Sequence, residues 1–274
     1  TAAFFRQVRG ALKIRASSYV PTHPSLSPQP KQRRMRHLLL IATAGTLLIA
    51  CNSDSRNIRD YYYPVKRLHR GLVYMYDLAD SDSSSPEYWY YRSFPRDSGL
   101  YFAGTLYDRH FQINMISRLK VTRSGVLARD YFLYDYVPDL DTLLGARAAI
   151  LADAAFPFEV RDSQGVFLFH LRYRPARDTA STIYLIRNRR YLGDGPAFRF
   201  KGRDFPCIRM RVTQAIGNEQ DGAAEIIGTG EEWYARDLGL VYYRMSYGER
   251  GQMRFAYALR DTFGMEKLEK MALD

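Results

Sequence analysis

The chain has 274 residues, with 40 Lys and Arg against 29 Asp and Glu, a net charge of +11 and 22 Tyr. A charge of that size suggests a phosphate-binding surface. Yet eight of the basic residues (Arg6, Arg9, Lys13, Arg15, Lys31, Arg33, Arg34 and Arg36) and no acidic ones lie within residues 1–50, so the rest carries 32 basic against 29 acidic groups, or +3, and nucleic acid is not an expected partner.

Residues 1–34 contain no Met, Asp or Glu, and "PTHPSLSPQPKQRR" reads as disordered, so this stretch is expected to be an upstream or disordered basic segment, with Met35 as the natural start. The composition of "FFRQVRGALKIRASS" also suits an organellar transit peptide, a reading that leaves the next segment unexplained. That segment, residues 35–50, holds an apolar run, Leu38–Ala50, of 13 residues, with the basic residues Arg33, Arg34 and Arg36 upstream of it. Crossing a bilayer takes roughly 20 apolar residues. The layout is that of a signal peptide. Its close, Leu48-Ile49-Ala50-Cys51, resembles the lipobox of bacterial envelope lipoproteins, which implies cleavage before Cys51 and lipid attachment to its sulfur. Asn52 is not the Asp that retains some such lipoproteins at the inner membrane, so the resemblance implies a bacterial cell envelope protein, lipid-anchored to the outer membrane and facing the periplasm.

Residues 51–60 read as a tether and 61–274 as one β-rich domain. Within it the expected strands are Leu72–Leu78, Tyr88–Phe94, Leu100–Asp108, Tyr131–Tyr136, Val166–Arg174, Ser181–Leu192, Gly239–Tyr247 and Met253–Leu259, rich in aromatic and β-branched residues and separated by Gly, Ser and Asp turns. In Val166–Arg174 the period of two puts Phe167, Phe169, Leu171 and Tyr173 on one face, and His170, Arg172 and Arg174 on the other. Cys207 lies in "PCIRMRV", where Ile208, Met210 and Val212 alternate with Arg209 and Arg211, as in a half-buried strand. Two helices are expected: Asp141–Ala155, rich in Ala and Leu behind an Asp cap, and an amphipathic C-terminal segment able to close one end of the sheet. The fold class is therefore mainly β, a single curved antiparallel meander forming an open half-barrel or sandwich-like sheet with one or two short helices.

Chemistry-bearing motifs are scarce. His69, His110 and His170 stand apart from one another with no metal-ligand spacing, so no metal and no cofactor is expected. "GDGPA" (Gly193–Ala197) and "GTGEE" (Gly228–Glu232) lack the Lys-Ser/Thr of a phosphate loop and read as hairpin turns. Glu231–Glu232 and Asp139/Asp141 offer carboxylate pairs, more simply explained as edge charges or caps. The Tyr clusters at Asp60–Pro64 and Tyr88–Tyr91 suit cross-strand aromatic ladders.

The stretch Glu232–Arg244, "EWYARDLGLVYYR", resembles the penultimate hairpin of β-rich bacterial envelope lipoproteins, and that resemblance implies an open barrel like those of the periplasmic carriers and acceptors of lipoprotein sorting. The expected function is that of a membrane-anchored, non-enzymatic binding or assembly module, taking an apolar, lipid or glycan ligand or joining an outer-membrane complex. Its candidate ligand-facing residues are Phe167, Phe169, Leu171 and Tyr173. The alternative is an envelope hydrolase whose site is assembled from scattered residues.

Replacing Cys51 by Ala should leave the protein as a soluble or uncleaved precursor. Intact-mass analysis of the chain taken from native membranes checks this, and an unmodified N-terminus at Thr1 in those membranes would refute lipidation.

Overall fold

A computed structural model describes residues 55–79, 85–161, 165–220, 225–248 and 251–274. The signal segment and Cys51 lie outside these residues. A short strand β1 (Arg56–Asn57) leads into two 3-10 turns, Arg59–Tyr61 and Val65–Arg70. There follow β2 (Leu72–Leu78), β3 (Glu87–Arg96), β4 (Gly99–Tyr107), β5 (Ile113–Val121), β6 (Gly125–Val137), β7 (Thr142–Arg147), β8 (Ala149–Pro157) and β9 (Glu159–Val160). The second half comprises β10 (Phe167–Tyr173), β11 (Ile183–Phe200), β12 (Arg203–Asn218), β13 (Ile226–Ala235), β14 (Gly239–Tyr247), β15 (Met253–Phe263) and one helix, α1 (Met265–Leu273).

Apart from β1, β7 and β9, each strand pairs antiparallel with the strand before and after it in that order, and the last, β15, returns to pair with β2 through Phe263↔Val73 and Tyr257↔Leu78. The sheet therefore closes on itself as a 12-strand antiparallel barrel, not the open half-barrel or sandwich expected from sequence. Closure removes both sheet edges, which in an open sheet expose unpaired N–H and C=O groups. Period-2 alternation is the same in open and closed sheets, so only the β15–β2 register distinguishes them. β1 and β9 form a separate two-stranded ribbon, and β7 pairs with the second half of β6.

The Ala-rich segment Asp141–Ala155 is strand rather than helix. Thr142–Arg147 pairs with Phe132–Val137, and Ala149–Asp153 pairs with Phe169–Arg172. Helix propensity is worth a few tenths of a kcal/mol per residue, whereas a helix here would strand the ladder groups of β6 and β10. The two glycine pairs also lie inside strands, not in turns: Gly193 and Gly195 sit at bulges of β11, and Gly228–Glu232 fills the middle of β13. The true β11–β12 turn is Lys201–Gly202, with φ of 48° and 79°, the sense that suits a tight hairpin. Helix α1 does not close an end of the sheet. Its buried Leu268 packs on Val73 and Tyr88, on the outside of the barrel wall.

Sidedness follows the alternation. Tyr74, Tyr76, Tyr91, Phe102, Leu119, Phe169, Leu171, Leu185, Met210 and Tyr247 point inward and belong to one core cluster. Outside, a row runs across four strands, Arg190↔Arg211↔Glu231↔Arg244. This apolar-in, charged-out pattern is the reverse of strands that face lipid. Among the described residues no helix is long and apolar enough to cross a membrane.

Twelve strands enclose more space than wall side chains fill; eight make an interior just wide enough for them. The surplus is taken up by the segment before β2. Ile58 is wholly buried, and Tyr62 and Tyr63 pack at 5.7 and 5.3 Å (ring centroids) on Phe102. The Tyr63 hydroxyl hydrogen-bonds that of Tyr91 at 2.9 Å, and the Tyr76 hydroxyl donates to the Leu240 carbonyl at 2.7 Å. Residues 56–60, read from sequence as tether, thus contribute a paired strand and a core side chain. Ile58→Ala should cost ~2–5 kcal/mol, measured as a fall in the urea midpoint; a loss below ~0.5 kcal/mol, typical of a surface site, would return this stretch to the tether.

Candidate functional site

The expected ligand-facing residues lie on β10, and their alternation holds: Phe169, Leu171 and Tyr173 are buried, Phe167 is half-buried, and Leu168 and Arg172 face outward. Their face looks into the barrel, where the segment expected to be the helix Asp141–Ala155 runs as strands of the wall. Phe169 and Leu171 line an internal cavity of about 160 Å³. Tyr173 and Phe167 belong to the surrounding core and do not line it.

The other walls of this cavity carry groups that sequence reading did not assemble. From β11, Arg187 and Arg189 point inward; from β12, Gln214; from β13, Glu232 and Tyr234; from β14, Tyr247; and from β6, Tyr131. The Arg189 guanidinium grips Glu232 with two hydrogen bonds, Nε to Oε2 at 2.7 Å and Nη2 to Oε1 at 3.2 Å, and donates through Nη1 to the Ala155 carbonyl at 3.2 Å. Tyr234 donates its hydroxyl to the same carboxylate at 2.8 Å. Arg187 stands beside it, Nη1 lying 3.8 Å from Glu232 Oε1, and its Nε donates to Gln214 Oε1 at 2.7 Å. Gln214 in turn donates to the Tyr247 hydroxyl at 2.9 Å.

One glycine makes the last link possible. Arg187, Gln214, Gly228 and Tyr247 lie in a single cross-strand row, and Tyr247 reaches Gln214 by laying its ring over Gly228. A Cβ at Gly228 would collide with that ring. The glycine serves a close approach of neighbours, the usual meaning of Gly inside a strand.

Burial alone would push the Glu232 carboxyl upward, but the charges of Arg189 and Arg187, with the hydrogen bonds from Arg189 and Tyr234, hold it below the usual carboxylate range. Burial likewise disfavours the Arg189 charge, and Glu232 more than restores it. Burial lifts the Tyr234, Tyr131 and Tyr62 hydroxyls above the ordinary tyrosine range. These phenols are neutral at any physiological pH. Cys207 is buried on β12 and burial pushes its thiol up to about 11, so it is a poor nucleophile.

The two neighbouring glutamates face opposite sides of the wall. Glu231 lies outside and accepts from Arg244 Nη2 at 2.9 Å and Arg209 Nη1 at 3.3 Å. Asp141 sits at the turn between β6 and β7, where Tyr136 donates to it at 2.6 Å. Neither carboxylate pair converges on a shared cleft. Among the described residues no group of three His, Cys, Asp or Glu is placed to hold a metal.

Among the described residues, the pairing of β6 with β8 is interrupted beside the cavity. β6 pairs with β8 only through Gly125–Leu127 before its far half turns to β7. A single bond, from the Ala148 N–H to the Tyr131 carbonyl at 2.8 Å, restores contact further along. Between them lies a surface concavity of about 640 Å³ flanked by Ala128, Ala149 and Ala152 and spanned by Arg129 and Asp153, 3.5 Å apart. Register shifts leave Arg129 and Leu151 at bulges on either side, which bend the strands apart.

Glu232→Gln leaves Arg189 without its buried counter-charge and should cost ~3–5 kcal/mol. Because the folded-state pKa of Glu232 is depressed, its contribution is present above the unfolded value near ~4.3 and is lost as pH falls through the folded value. Urea midpoints measured from pH 7 downward should fall below about pH 4 in the native chain; equal slopes in the native chain and in Glu232→Gln would show that this carboxylate is not the titrating group.

No protein-family model matches the chain, and no curated protein matches it in sequence. Two solved structures resemble it: a protein of Parabacteroides distasonis provisionally described as a lipoprotein (13% identity, TM-score 0.45) and a protein of Bacteroides fragilis provisionally described as exported, with a YmcC-like fold (14% identity, TM-score 0.49), each alignment covering 74% of this chain and 98% of the other.

Proposed function

We propose that the chain is a lipid-anchored bacterial envelope protein, attached through Cys51 to the periplasmic face of the outer membrane, whose barrel binds a small, mainly apolar molecule without covalent chemistry. The anchor rests on the basic residues Arg33, Arg34 and Arg36, the 13-residue apolar run and the Leu48–Cys51 motif. The binding role rests on the internal cavity. At about 160 Å³ it matches the size of an engineered apolar cavity of about 150 Å³ that takes up benzene. Its lining of aromatic and aliphatic side chains, with a few fixed polar groups, is the usual make-up of a small-molecule site. Phe169 and Leu171, singled out by the period of two, form part of the apolar wall. A whole diacyl lipid does not fit; a ligand of about the size of benzene does.

Benzene added to the full chain should raise its thermal midpoint, since a ligand bound only by the folded state stabilises it. Ala155→Leu, which places three more carbons against the cavity, should abolish that shift while leaving the circular dichroism spectrum unchanged. Absence of any shift in the native chain refutes an interior binding site. Hydrolysis of an ester or glycoside, lost on changing a single carboxylate or His, refutes the non-enzymatic part.

A further inference from the structure

The charges around the cavity do not balance. Two guanidiniums, Arg187 and Arg189, face one carboxylate, Glu232, which is already engaged by Arg189 and by the Tyr234 hydroxyl. The other buried interior carboxylate, Glu87, accepts from Tyr243 at 2.8 Å and does not line the cavity. Arg187 keeps only Gln214 as a close partner, with Glu232 at 3.8 Å. An arginine has five N–H donors, and the Arg187 side chain, 21% exposed, directs only Nε and Nη1 at these two partners.

Two hydroxyls strengthen the asymmetry. Tyr62, from the inserted segment, and Tyr131, from β6, both line the cavity, and among the described residues neither hydroxyl has a hydrogen-bond partner. Tyr62 is 6% exposed. Their rings are packed, Tyr62 on Phe156 at 4.9 Å and Tyr131 on Phe169 at 5.2 Å, so both hydroxyls are held in place. As neutral phenols they can donate to an acceptor. The lining thus presents a cation and two O–H donors near one another, Tyr131 within electrostatic reach of both Arg187 and Tyr62, beside the aromatic and aliphatic wall.

We infer that the ligand of this cavity is a small organic anion, an aromatic or short aliphatic carboxylate whose carboxyl group meets Arg187 and the Tyr62 and Tyr131 hydroxyls while its apolar body lies against Phe169, Leu171 and Leu185. This rests on the interior binding role proposed above and assigns its chemical class. A carboxylate supplies the missing negative charge and accepts the donors at once, whereas a neutral isostere leaves the charge unmatched. The seam between β6 and β8 runs beside Tyr131, whose carbonyl accepts from the Ala148 N–H across it.

The full chain is titrated by calorimetry with phenylacetate and with its neutral isostere phenylacetamide, and then with each in Arg187→Gln, Arg187→Lys and Tyr131→Phe. Phenylacetate should bind at least tenfold more tightly than phenylacetamide. Arg187→Gln should remove that preference, Arg187→Lys should restore most of it, and Tyr131→Phe should weaken phenylacetate several-fold. Equal affinity for the two probes, or a preference that survives Arg187→Gln, overturns the anionic class and leaves the interior binding role standing. Failure of both probes while benzene binds overturns the anionic class; failure of benzene overturns the binding role itself. If Arg187→Gln does not fold, the comparison of the two probes on the native chain and on Tyr131→Phe decides the matter.

Discussion

A ring of twelve strands is too wide to be filled by the residues of its own wall, and most of the molecule's particular features answer that constraint. Smaller barrels close over side chains alone. Here the chain that precedes the first barrel strand is drawn inside, with Ile58, Tyr62 and Tyr63 in the core. The large tyrosine content has the same origin. Tyrosine fills a wide interior with ring area and carries a hydroxyl that must then find an acceptor or an open space. Tyr63, Tyr76 and Tyr91 find one another or a backbone carbonyl, while Tyr62 and Tyr131 open onto the cavity.

The remaining volume holds a polar network in place of more apolar atoms. A buried ion pair such as Arg189–Glu232 stabilises little on balance, because desolvation offsets its attraction. What it does provide is a fixed direction: the bidentate grip, the Ala155 carbonyl and the Tyr234 hydroxyl hold Glu232 against Arg189. Arg187 is therefore left as the cation facing open space. Gly228 belongs to the same design, since the Tyr247 ring that crosses it supports Gln214, which supports Arg187.

β6 and β8 share the shortest ladder of the described barrel, because β6 divides its pairing between β8 and β7. Strand separations of this kind leave backbone groups without ladder partners, and bulges at Arg129 and Leu151 widen the separation. Small side chains at Ala149 and Ala152 flank the concavity there, and the exposed Arg129–Asp153 pair across it, being a surface ion pair, is worth little. Tyr131, whose carbonyl accepts from the Ala148 N–H across this seam, also lines the cavity.

The period of two is written locally, so the strands and their inward faces were legible residue by residue. Leu72–Leu78 and Gly239–Tyr247 match to the residue, Phe169, Leu171 and Tyr173 turn inward, and Cys207, Ile208, Met210 and Val212 are buried on one strand. The basic residues, apolar run and Cys51 on which the proposed export signal rests are equally local, being adjacent in the chain, and they lie outside the described residues. Closure was not legible, since it depends on β15 meeting β2 about 180 residues away, and alternation is the same in an open sheet. Ala-rich Asp141–Ala155 became strands because neighbouring ladders needed partners, a demand that outweighs weak local propensity. The glycines at 228 and 230 read as a turn because what they accommodate, a Tyr and a Met on the next strand, is named nowhere nearby. The polar cluster was hidden for the same reason: Arg189 and Glu232 are 43 residues apart, and only the stacking of β11, β12 and β13 side by side turns their like-facing positions into one site.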